Sequence, residues 1–106
     1  MPELSNPFIG NVPRKMDVGE LARSIRLSIM HELNAVSLYS AQIDSTDDEY
    51  AKAVIKHVMD DEKEHIGDFM ALLEYLDPDQ TMFFEEGREE SRTILAAGVV
   101  GQSDGH

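Results

Sequence analysis

Apolar residues in this chain fall into two long helical registers, and each register is interrupted at its middle by ionisable side chains. Leu21, Ile25, Ile29, Val36, Tyr39 and Ile43 recur at three-, four- and seven-residue steps, which is one face of a helix running to about Ile43. Glu32 stands inside that face, three residues after Ile29 and four before Val36. A second stripe comprises Ala51, Val54, Val58, Phe69, Leu72 and Leu76, and between Val58 and Phe69 it carries Glu62 and His65. This pairing of stripe and interruption limits both the fold and the chemistry.

The boundaries follow from local signals. Asp17 with Glu20 three residues later reads as a capping box that opens the first helix. Asp44-Ser45-Thr46-Asp47-Asp48 breaks the pattern, and Thr46 with Glu49 reads as a second box. The second helix stops at Leu76-Asp77, because Pro78 disfavours helical geometry in the residue before it. A shorter third helix is expected over about Asp79–Leu95, weakened by Gly87. Pro2, Pro7 and Pro13 make residues 1–16 an extended arm, and residues 96–106 read as a flexible tail. The helical domain is thus expected over 17–95.

The expected fold class is all-α: an antiparallel two-helix hairpin plus a short C-terminal helix. A hairpin cannot enclose a core alone, since each stripe faces the other helix on one side and water on its remaining edge. Pairing two hairpins into a four-helix bundle covers that edge. Dimerisation is therefore expected from packing alone.

Residues at i and i+3 lie on one side of a helix, so Glu62 and His65 can share a metal ion. Three ionisable groups directed into one core are costly unless paired or metal-bound. An ion-pair cluster, with His65 protonated against Glu32 or Glu62, is the plainer alternative. The coincidence of three ligand-type residues on facing stripes favours metal. Four-helix di-iron proteins use two single Glu residues and two Glu-x-x-His pairs, one element from each helix. This chain carries one of each, so a second copy must supply the rest.

Composition narrows the metal. With no Cys among its 106 residues, the chain has no disulfide, thiolate zinc site, iron–sulfur ligation or Cys nucleophile. Carboxylate and imidazole suit iron, and manganese or zinc equally. A net charge of -12 disfavours nucleic acid and anionic lipid and concentrates cations. No run reaches the roughly 18 apolar residues of a membrane span. With no apolar run for a signal peptide either, a cytoplasmic location is expected. His57 reads as solvated, and Asp60, Asp61, Glu64 and Asp68 as the wet face of the second helix, without i,i+4 support from Lys56. Met30, Met59, Met70 and Met82 read as core fill.

On His31-Glu32-Leu33-Asn34-Ala35-Val36-Ser37-Leu38-Tyr39 and Asp61-Glu62-Lys63-Glu64-His65, the chain resembles the encapsulated ferritins over roughly residues 17–85. The resemblance implies that Glu32, Glu62 and His65 ligate iron, two ions per dimer interface, with Glu62 bridging and Tyr39 close behind. It implies ferroxidase activity, oxidation of Fe(II) by O2. It also implies an obligate dimer, assembly of five dimers into a ring (a decamer), and an encapsulin shell protein as partner, placing the chain in an encapsulin nanocompartment. Positions 31 and 34, often acidic in that family and proposed there for metal uptake, are His31 and Asn34 here, and Leu38 replaces a Trp of some members. His31 retains a metal-binding imidazole. Ile94-Leu95 and Gly98-Val99-Val100 are loosely similar to the peptides that dock such cargo in shells. An iron-binding protein or chaperone without turnover, and a metal-free helical dimerisation module, are the alternatives.

Overall fold

The structure, a computed structural model, describes residues 13–98. The remainder of the expected arm and tail lies outside the described residues. Three helices follow in order, α1 (Val18–Asp44), α2 (Glu49–Leu76) and α3 (Pro78–Ala96), and no strand occurs among the described residues.

The start of α1 is the capping box read from the sequence. Asp17 Oδ1 accepts from the Glu20 amide at 2.8 Å, and Glu20 Oε1 accepts from the Asp17 amide at 3.0 Å. Arg14 grips the same Glu20 carboxylate with two nitrogens, at 2.7 and 2.6 Å. The Arg14 bonds and the Asp17 amide hold the Glu20 carboxyl at a pKa of about 2.

The start of α2 departs from expectation. Asp48, not Thr46, is the N-cap, and its Oδ1 accepts from the Ala51 amide at 3.0 Å. Thr46 Oγ1 instead accepts from the Asp48 amide at 3.2 Å, which fixes the turn leading in. A carboxylate is the stronger acceptor, and with Ala51 three residues on there is no side chain to complete a reciprocal box. Asp77 ends α2 by donating its amide to Leu73 O at 2.8 Å, and Pro78 opens α3 at once. Pro fits that first position because its missing N–H would have had no helical partner.

The α1–α2 hairpin packs through Ala22, Ile25 and Ile29 against Leu73, with Phe69, Met70 and Leu76 around them. Met59 is the other buried residue of α2. Phe69 and Leu76 of the expected stripe thus pack as read, but the most buried part of α2 lies to one side of the stripe's centre. Its buried members, Met59 and Leu73, each lie one residue beyond Val58 and Leu72, a rotation of about 100°. Val54 and Leu72 remain 44% and 36% exposed. The apolar sector of α2 is wide: one edge meets α1, and the other faces out beside it. Met59 and Met70 fill the hairpin as expected, whereas Met30 and Met82 are exposed.

No residue of α3 is buried, and Met82, Phe83, Ile94 and Leu95 are open to solvent. On the wet face of α2 the structure also corrects the reading of Lys56. Its Nζ bonds both oxygens of Asp60, at 2.8 and 2.7 Å, and lowers the Asp60 pKa. The Lys-before-Asp order is the weaker one on a helix, but it still allows an exposed pair. No described helix is long and apolar enough to cross a membrane.

Candidate metal centre

Glu32 reaches the site from the middle of α1, and Glu62 and His65 from the middle of α2. Because the hairpin is antiparallel and both helices are of similar length, their midpoints meet at one level. One ligand atom from each of the three residues lies within 4.8 Å of the other two. His65 Nδ1 is 3.6 Å from Glu62 Oε2, one helical turn along the same side of α2.

The three groups do not point into a closed core. Glu32 and Glu62 are half-buried, and the His65 side chain is 52% exposed. Their direction follows from the register of α2. Glu62 lies seven residues before Phe69 and eleven before Leu73, so it stands between the two, at the margin of the buried face. His65 lies seven residues before Leu72, on the still more open edge. His65 thus lies beside the uncovered apolar strip, and Glu32 and Glu62 stand half-buried at the margin of the hairpin's core.

That placement shapes the electrostatics. Among the described residues, neither Glu32 nor Glu62 is paired with a lysine or arginine. Two adjacent carboxylates without a cation repel each other, and desolvating them raises the cost. A divalent ion removes that cost, and the donor set of two carboxylate oxygens and one imidazole nitrogen fits iron, manganese or zinc.

Tyr39, two turns beyond Glu32 on the same side of α1, is half-buried, while His31 is exposed; neither belongs to the group of three. No further His, Asp or Glu joins that group among the described residues. His57 is exposed as expected and stands 3.6 Å from Asp61. The sequence reading missed the Arg26–Asp77 contact at the start of α3, 51 residues apart along the chain, for which no local pattern exists.

The sequence profile of the EncFtn-like family matches residues 15–90, a span that contains all three ligand-type residues. The chain belongs to the EncFtn-like family. It is 53% identical over 96 residues to the encapsulin nanocompartment cargo protein EncC of Myxococcus xanthus, covering 91% of this chain and 73% of that protein. It is 36% identical over 89 residues to a ferritin-like-encapsulin shell fusion protein of Pyrococcus furiosus, covering 84% of this chain but 26% of the fusion protein. The crystal structure of the encapsulated ferritin domain from Pyrococcus furiosus superposes with a TM-score of 0.76 at 36% identity, over 83% of this chain and 90% of that domain. The all-helical ferritin-like fold of this EncFtn-like chain is thereby established.

Proposed function

We propose that this EncFtn-like chain is a ferroxidase that takes up Fe(II) between two subunits and oxidises it with O2. The observation that carries the reading is that Glu32, Glu62 and His65 come within 4.8 Å of one another, with His65 opening onto the hairpin's uncovered apolar edge. Closing that edge with a second copy brings two such sets together, and the result is the complete complement of a di-iron bundle. The half-site is then complete in the dimer.

The chemistry follows from the residues. Two copies supply four carboxylates, whose charge balances two divalent ions and favours the ferric product over the ferrous substrate. Glu62 is the residue we assign to bridge the ions, the role that the resemblance to the encapsulated ferritins implies for it. His65 donates a neutral nitrogen and leaves coordination positions for O2 and water. Tyr39 is assigned to stand behind the ligands. Apolar neighbours Val58, Phe69 and Leu72 keep bulk water from the ions once a partner covers them. Manganese and zinc suit the same donors, but only iron among the three reduces O2 in the proposed step.

The reading extends to assembly. The relatives named for encapsulin cargo and shell fusion support an encapsulin shell protein as partner and an encapsulin nanocompartment as location. A cytoplasmic setting and a role in iron storage or detoxification are part of what we propose. A ring of five dimers and a docking role for Ile94–Leu95 and Gly98–Val100 belong to the same proposal.

Stopped-flow absorbance after anaerobic loading with Fe(II) tests the reading. A rapid ferric signal on mixing with O2 is expected. Iron bound without that signal identifies a store or chaperone, and no iron bound identifies a metal-free dimerisation module.

A further inference from the structure

The third helix is joined to the hairpin at a single bend, and the bend carries an unusual use of an aspartate. Asp77 occupies the N-cap of α3 with φ −134° and ψ 87°, and Pro78 follows at the first helical position. An aspartate there ordinarily turns its carboxylate onto the free N–H groups of the first turn. Asp77 makes no such bond. Its Oδ2 instead accepts from Arg26 Nη2 of α1 at 2.5 Å. The same nitrogen stands 3.4 Å from Oε1 of Gln80, inside the first turn of α3.

Among the described residues this contact joins two helices that have no backbone contact with each other. Backbone proximity links α1 to α2 and α2 to α3, but not α1 to α3. Arg26 is therefore the one side chain of α1 that hydrogen-bonds to the start of α3 among the described residues. Both partners are partly open to solvent, at 42% and 33%. An ion pair so exposed adds little to overall stability, but a helix that buries no residue and has no backbone contact with α1 takes little energy to orient.

We propose that Arg26 is a clamp that sets the angle at which α3 leaves the hairpin. In this arrangement the Asp77 carboxylate holds Arg26 and leaves the first turn of α3 without a side-chain cap. While Arg26 holds it, α3 is kept at one inclination, and the exposed Met82 and Phe83 stay at a set position relative to α1. When the pair opens, the carboxylate turns to cap α3, which stays helical but swings about Asp77. This clamp is independent of the iron reading.

The absence of cysteine permits a direct test. Spin labels at Ser37→Cys on α1 and Ser91→Cys on α3, in chains diluted with unlabelled protein, report the intrachain distance by pulsed electron resonance. A single narrow peak is expected for the parent chain. Arg26→Ala and Asp77→Asn should each lose that peak to a broad distribution with helical circular dichroism unchanged, and Arg26→Asp combined with Asp77→Arg should recover it. A narrow peak retained in both single variants overturns the proposal. Loss of the peak together with loss of helicity also overturns it, because the pair would then maintain α3 rather than orient it.

Discussion

His65 Nδ1 stands 3.6 Å from Glu62 Oε2, one turn along α2, with a Glu32 oxygen from α1 completing a group within 4.8 Å. That gap is too long for a hydrogen bond. Two ligands bonded to one ion at about 2.1 Å are roughly 3.0–3.4 Å apart in octahedral or tetrahedral geometry. Small side-chain rotations therefore separate the present arrangement from shared coordination.

Removing Glu62 should separate chemistry from folding. Replacing even an outer partner of a metal ligand costs about ten- to a hundredfold. Glu62→Ala is accordingly expected to slow Fe(II) oxidation by at least about a hundredfold, read by stopped-flow absorbance. Metal-free thermal stability should not fall, because the change removes a repulsion from Glu32. Oxidation at the parent rate would remove Glu62 from the site.

Metal and assembly should be coupled. Native mass spectrometry is expected to show two ions per pair of chains after Fe(II) loading, and a chelator should shift the population toward smaller species. Binding should also weaken as the solution is acidified, since imidazolium has no free electron pair and protonated carboxyls are poor ligands. Assembly indifferent to both metal and chelator would point to a dimerisation module.

Neighbouring leucines on α2 should behave differently. Leu73 is 3% exposed within the hairpin, and Leu73→Ala should cost about 2–5 kcal/mol in urea unfolding. Leu72 is 36% exposed on the open face, and Leu72→Ala should cost about 1 kcal/mol or less in the isolated hairpin. Sedimentation equilibrium should nonetheless show weakened pairing for Leu72→Ala, with helicity preserved. Unchanged pairing would mean that the open face is not the dimer face.

The start of α1 should respond to acid. The Glu20 pKa is lowered from 4.5 to about 2, first by Arg14 and then by the Asp17 amide. A depressed carboxyl stabilises the fold above its unfolded pKa and loses that contribution as pH falls through the folded one. The melting difference between the parent chain and Glu20→Gln should thus be complete near neutrality and vanish between roughly pH 4.5 and 2. A difference independent of pH would exclude this origin.

Much of this was legible in the chain itself, for a local reason. Helix periodicity and capping act over three to seven residues, so Asp17 with Glu20, the break at Asp44–Asp48 and the stop before Pro78 could be read directly. Glu32, Glu62 and His65 were legible as intruders on apolar stripes, because spacing alone puts them at the middle of each helix. The N-cap of α2 was misplaced by two residues, since Thr46 and Asp48 are both acceptable caps and their competition is settled by the path of the turn.

The sequence by itself determined that two long helices form and carry three metal-type side chains at matching levels. Only the tertiary structure decided which edge of the wide apolar sector of α2 is buried. Pairing turns Met59 and Leu73 onto α1, leaving Val54 and Leu72 outside on the edge that carries His65, with Glu62 between. It also decided the Arg26–Asp77 contact. Periodicity records which residues share a face, but the direction of that face depends on the neighbour against which the helix packs.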